Sequence, residues 1–268
     1  MKKLHQLTLA AITITSPSLA YTAEWSNLNI QYLYSSRYKE PFNNERIAKQ
    51  TVTIEYANAY SLGSNYAYID IARSEKEEIG AISGQKEGPT DFFGEWYHTL
   101  SLSKVLKRPM QVGWIRDVGW LAGISAGSKT SEFRPDTRAW VTGIEFTLPS
   151  PAGGYQNISF SGYFDDSRNA FGEVQSRDTY RIAHCFLIPF TFGGIEGKLE
   201  GYWKAIGPAF EGSKTQFLTQ PRLLLDISRF VGAAPRSLYG GIEYQYYRNK
   251  YGTTTDESHP QLMLQLNL

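Results

Sequence analysis

The chain has 268 residues, 27 basic and 26 acidic side chains, a net charge of +1 and a single cysteine, Cys185. The balance leaves no basic surplus of the kind nucleic acid or an anionic membrane surface calls for. One cysteine excludes an internal disulfide and argues against a thiolate metal cluster, so neither metal nor cofactor is expected.

The first twenty residues, MKKLHQLTLAAITITSPSLA, place Lys2 and Lys3 before a short apolar stretch and Ser18-Leu19-Ala20 at its end. That is the pattern of a secretory signal, too short to span a membrane. The mature part is read as 21–268, one domain. Beyond it no run of eighteen apolar residues predicts a membrane helix, which leaves open a membrane barrel, whose strand signals are individually weak.

Period-two alternation then recurs along the chain. In 28–34, Leu28, Ile30, Tyr32 and Tyr34 oppose Asn29 and Gln31; in 52–56, Val52, Ile54 and Tyr56 oppose Thr53 and Glu55. Segment 95–103 sets Trp96, Leu100 and Leu102 against Glu95, Tyr97, Thr99 and Ser101. Segment 139–148 sets Trp140, Ile144 and Phe146 against Gly143 and Glu145, and 157–164 sets Ile158 and Phe160 against Asn157 and Ser159. In 238–247, Ile242, Tyr244 and Tyr246 oppose Glu243 and Gln245, and in 260–268 four leucines alternate with Met263, Gln265 and Asn267 to the last residue. Less regular strands are expected near 65–72, 110–125, 178–188, 196–205 and 216–227. With these the total is about twelve, each strand and connection taking about 21 residues.

Three features favour a closed barrel over a secreted sandwich. The polar faces are rich in Asn, Ser, Gly, Tyr and Glu with few lysines, aromatics reach 14%, and the alternation runs to the end of the chain. The expected fold is therefore all-β, a closed antiparallel transmembrane β-barrel of about twelve strands in a bacterial outer membrane. Long polar loops are expected near 36–49, 74–92, 127–137, 166–177, 207–215 and 248–258, outside the cell, with mostly shorter turns on the periplasmic side. Two places resist. Pro221 falls inside a strand and is expected near a rim. Arg116 would face lipid beside Trp114 and Trp120, which costs roughly 2–4 kcal/mol at the midplane, so a bulge or kink is expected there.

Several stretches carry a resemblance to a known family. QYLYSSRY (31–38), TVTIEYANAY followed by NYAYIDIA, FFGEWYHTLSLSKV, TYRIAHCFLIPF and the terminal strand resemble segments of the Tsx-type nucleoside-specific channels of the bacterial outer membrane. The similarity is a patchwork across nearly the whole mature chain. The long loops do not match well, and Leu268 stands where the family usually ends in an aromatic. The resemblance implies a narrow barrel that lets nucleosides diffuse inward by weak binding. It places Arg37 and Tyr38 at the channel mouth, Glu55 and Asp70 at lumen-facing acidic positions and Arg181 at a basic one.

The residues support that physics independently. Lumen tyrosines such as Tyr66, Tyr68 and Tyr97 offer stacking area with a polar tip, and Glu95, Glu145 and Glu243 accept from hydroxyls. The expected site is Arg37, Tyr38, Glu55, Tyr68, Asp70, Glu95 and Arg181, with no catalytic residue. Charges inside a barrel also pair with one another, which is the commoner fate of any single one. The expected partners are a small solute, the bilayer with its lipopolysaccharide and the outer-membrane assembly machinery, with the protein itself a monomer. Competing readings are a channel for another small solute, a structural barrel without a channel, and a barrel hydrolase. The last would need a serine beside His98, His184 or His259; His98 and His184 fall on lipid-facing positions and His259 is expected at a rim.

Overall fold

Each alternating segment becomes a strand hydrogen-bonded to its neighbours in sequence. The computed structural model describes residues 23–76, 78, 88–131, 133–170, 172–173 and 176–268; the expected signal, 1–20, lies outside them. The strands are β1 (Ala23–Lys39), β2 (Arg46–Tyr60), β3 (Gly63–Ser74), β4 (Thr90–Ser101), β5 (Asp117–Lys129), β6 (Asp136–Leu148), β7 (Tyr155–Asp165), β8 (Arg168–Asn169), β9 (Gly172–Glu173), β10 (Thr179–Phe192), β11 (Ile195–Ile206), β12 (Gln216–Thr219), β13 (Arg222–Asp226), β14 (Leu238–Arg248) and β15 (Glu257–Asn267). One short helix, α1 (Leu102–Leu106), follows β4.

β8 and β9 form a small hairpin within the 166–178 connection. β12 and β13 are two halves of one stave, both paired to β11 and β14. The remaining strands pair antiparallel in chain order, and β1 pairs with β15 to close a barrel of twelve staves. The closing seam is short: it runs only from Asn29↔Asn267 to Tyr34↔Leu262. Above it β1 bulges between Ser35 and Tyr38, and Pro260 on β15 brings no N–H. Both described termini lie at one end of the barrel, called here the near end.

Burial is inverted relative to a water-soluble domain. Leu28, Ile30, Ile54, Trp96, Ile144, Phe160, Ile242 and Leu264 lie exposed on the outer wall, while Asn29, Gln31, Glu243, Glu257, His259 and Gln265 are among the most deeply buried side chains. Water does not sustain an apolar wall of that extent; hydrocarbon does, and a closed barrel leaves no backbone edge unpaired in it. The two faces that alternation separated are the two faces of the barrel wall.

The structure corrects the sequence expectation in four places. Strands run further than the alternation showed, so several far-end loops are shorter than expected, such as 40–45 and 130–135. β5 begins at Asp117, so Trp114 and Arg116 belong to the connection 102–116 and the difficulty of a lipid-facing arginine disappears. That connection, with α1 and a Val112↔Ile115 bridge, makes a near-end turn much longer than expected.

The fourth correction concerns Pro221, which lies in mid-stave rather than near a rim. Register is unchanged across it, with Trp203↔Thr219 on one side and Glu200↔Arg222 on the other. The chain tolerates the proline because Gly201 opposite adopts φ +145°, where an added Cβ would stand 2.4 Å from the Gln220 carbonyl oxygen.

Candidate lumen site

Period two aims every second side chain of a stave inward, so the lumen is a lattice of alternate residues from twelve strands. Three groups of charges occupy it. In the first, Glu95 on β4 meets Lys204 on β11, 3.0 Å apart across the barrel, and accepts from Tyr68 Oη at 2.9 Å and Ser125 Oγ at 3.0 Å. Arg181 lies with its guanidinium 4.8 Å from the centre of the Tyr97 ring, and its Nε has no hydrogen-bond partner among the described residues. Tyr97 in turn lies against Gly123, where a Cβ would come within 2.3 Å of the ring.

The second group centres on Arg222, which donates from Nε to Glu243 at 2.7 Å and from Nη1 to Glu55 at 3.2 Å. Glu55 also accepts from Tyr66 at 2.9 Å and Asn29 at 3.1 Å. Gln261 and Gln220 donate to Glu243 at 2.8 and 2.9 Å. Asp70 stands apart from these pairs and accepts from Thr53 at 2.5 Å.

The third group closes the far end. Lys49 pairs with Glu40 and with Glu78, the latter at 2.5 Å; Lys129 pairs with Glu78 at 2.7 Å and Asp91 at 2.9 Å. Lys250 joins Glu40 at 3.0 Å to Glu257, and Glu257 accepts from His259 at 2.8 Å. All but Asp91 and Lys129, which are half-buried, are buried. Glu40 and Glu78 lie outside the strands: burial alone would raise their pKa values, but the neighbouring lysines, Lys250 and Lys49 for Glu40 and Lys49 and Lys129 for Glu78, hold both below the ordinary carboxylate range. The Lys250 ammonium, opposed by burial but surrounded by Glu40 and Glu257, is held well above its ordinary value.

Six of the seven expected site residues face this lumen: Tyr38, Glu55, Tyr68, Asp70, Glu95 and Arg181. Arg37 does not; it sits exposed in the β1 bulge. Tyr38 is not a free platform at the mouth. Its ring rests 4.4 Å from that of His259 and its hydroxyl donates to Gln261. His259 is therefore buried on the inner wall at the far end, as part of the far-end group. His98 and His184 do lie on the outer wall, as their alternation indicated. His98 contacts Asn65 at 3.1 Å and Tyr60 at 3.4 Å, and His184 contacts Gln156 at 3.3 Å.

Apart from Arg181, sequence reasoning missed the cations of the lumen: Lys49, Lys129, Lys198, Lys204, Arg222 and Lys250. A signal for part of it existed. In 198–204, Lys198, Glu200, Tyr202 and Lys204 alternate with Leu199, Gly201 and Trp203, the same inward-polar pattern read elsewhere.

No family model and no curated protein matches the chain. Among solved structures it is similar to a KdgM porin at 7% identity and a TM-score of 0.43, over 90% of this chain and 99% of that one. It is also similar to CdiB from Acinetobacter baumannii at 9% identity and a TM-score of 0.40, over 91% of this chain and 60% of that one. At these identities and TM-scores neither likeness carries an argument, and function is read from the lumen itself.

Proposed function

We propose that the chain is a bacterial outer-membrane channel through which small polar solutes diffuse, nucleosides being the favoured cargo. The observation that carries the reading is the pairing of an apolar outer wall with an inner wall of tyrosines and charges. Tyr66, Tyr68, Tyr97 and Tyr202 face the interior beside carboxylates and cations, and such a wall offers a nucleoside stacking faces for its base and acceptors for its ribose hydroxyls. Tyr68, Glu95 and Arg181 would be the contacts at mid-barrel, with Asp70 a further acceptor. Binding at each must stay weak for the solute to leave.

The ion pairs that cross the lumen constrict it with side chains, not with backbone. They favour a small conductance, and they also support a second reading, a barrel plugged by its own network. Planar-bilayer conductance of the refolded protein, with and without nucleosides, tests both. Saturable block by adenosine or thymidine, absent with a sugar of similar size and weakened by Tyr68→Ala, supports the channel. Conductance indifferent to nucleosides removes that cargo, and stable insertion without conductance favours the plugged barrel. A hydrolase on the outer wall has less support, because the partners of His98, His184 and His259 named above include no serine.

A further inference from the structure

The balanced net charge of the chain conceals an asymmetry between the two ends of the barrel. The near-end connections, 61–62, 102–116, 149–154, 193–194 and 227–237, contain six basic residues and no acidic one. The far-end connections, 40–45, 75–89, 130–135, 166–178, 207–215 and 249–256, contain seven basic and twelve acidic residues. The six near-end cations are Lys104, Lys107, Arg108, Arg116, Arg229 and Arg236.

Two of them are engaged by carboxylates: Lys104 with Glu24 on β1 at 2.8 Å and Arg236 with Glu196 on β11 at 2.5 Å. Lys107, Arg108, Arg116 and Arg229 have no carboxylate partner among the described residues, and all four are exposed. Apolar side chains stand beside them. Val112 is 67% and Trp114 65% exposed, and Leu106, Phe230 and Val231 are exposed as well.

The long near-end connection is held in place. Ser101 caps α1 by accepting from the Lys104 amide at 3.1 Å. Asp117 accepts from Ser103 Oγ at 2.5 Å and from the Ser103 amide at 3.2 Å, and Ser103 Oγ accepts from the Met110 amide at 2.9 Å. The near-end rim thus carries two patches on opposite sides of the barrel, Lys107, Arg108, Val112, Trp114 and Arg116 between β4 and β5 and Arg229, Phe230 and Val231 between β13 and β14; the first continues the lipid-facing wall, where Trp120 on β5 is exposed just above it. Apolar groups beside cations at a membrane boundary match the acyl and phosphate levels of anionic phospholipid.

We propose that the near-end collar, made of one patch of Lys107, Arg108, Trp114 and Arg116 and a second, on the opposite side of the barrel, around Arg229, binds anionic phospholipid headgroups of the periplasmic leaflet. The inference rests on the membrane orientation assumed for the channel reading, with the near end periplasmic, but not on conduction. It commits to phospholipid phosphodiesters, because the lipid-facing wall runs into the collar without interruption.

The test uses the full barrel in mixed micelles doped with phosphatidylglycerol or phosphatidylethanolamine, with retained lipid read by native mass spectrometry. The wild type is expected to retain phosphatidylglycerol at least about fivefold over phosphatidylethanolamine. The quadruple variant Lys107→Gln, Arg108→Gln, Arg116→Gln, Arg229→Gln is expected to fall to parity. A control neutralising far-end cations, Arg134→Gln, Arg177→Gln and Lys214→Gln, is expected to keep the preference. Heat-modifiable gel mobility verifies that each barrel is closed, and Trp114→Ala supplies a variant without a charge change that should weaken retention of both lipids. Parity in the wild type, an unchanged preference in the quadruple variant, an equal loss in the control, or capture of a periplasmic protein without any lipid preference would overturn the proposal. Loss of nucleoside block with lipid preference intact would overturn the cargo and leave the collar standing.

Discussion

Glu95 on β4 and Lys204 on β11 meet at 3.0 Å although five stave boundaries separate them around the barrel. Both are largely buried. Removing one partner from a buried pair leaves an uncompensated charge, while replacing both by neutral groups of similar volume is close to neutral. Lys204→Ala is therefore expected to destabilise the barrel by about 3 kcal/mol, and Lys204→Met with Glu95→Gln to recover most of that loss. Urea unfolding in micelles, followed by tryptophan fluorescence, measures both. The double variant should also raise single-channel conductance, since the pair crosses the lumen.

Acid should open the far end. Glu40 and Glu78 have folded pKa values below their ordinary value of 4.5. A depressed carboxylate contributes stability above its unfolded pKa and loses it as pH falls through the folded value. The far-end network is thus expected to stay closed from neutral pH down to about pH 4 and to loosen below that. Protease cleavage of the far-end loops against pH reads the transition; opening near pH 6 would contradict the assignment to these carboxylates. Glu40→Gln should loosen the same end at neutral pH.

Gly201 and Pro221 make opposite predictions at one rung. At φ +145°, with the Gln220 carbonyl oxygen 2.4 Å from an added Cβ, Gly201→Ala is expected to destabilise by about 1–3 kcal/mol. Pro221 accepts from the Tyr244 amide at 2.9 Å but has no N–H to return. Pro221→Ala supplies that donor and is expected to be neutral or stabilising by about 1 kcal/mol. Thermal unfolding by heat-modifiable mobility separates the two.

The seam between β1 and β15 should open first. Its backbone pairing ends at Tyr34↔Leu262, and above it the contact is made by Tyr38 with Gln261 and His259. Hydrogen exchange in micelles is expected to be faster in 35–39 than in 29–34 of the same strand. Tyr38→Ala should widen that difference; equal protection along β1 would show the seam to be as firm above Tyr34 as below it.

The alternation of Leu262, Leu264 and Leu266 with Met263 and Gln265, and its counterparts in other strands, determined strand type, faces and the barrel. These are local properties, because each side chain's direction follows from its parity along the strand. Parity also placed Glu55 and Glu95 on the lumen side, while the lumen positions of Asp70 and Arg181 came from the family resemblance. Parity could not locate Arg116, because strand ends depend on capping contacts such as those of Asp117 with Ser103.

What only the tertiary structure decided is who faces whom. Lys204 finds Glu95 and Arg222 finds Glu55 because curvature and closure bring distant staves together, and no spacing along the chain encodes that distance. The charge asymmetry between the ends is likewise invisible in the total, since up-and-down strands deliver alternate connections to opposite sides. Sequence set the two faces of the wall by local stereochemistry; closure set the lumen by long-range packing.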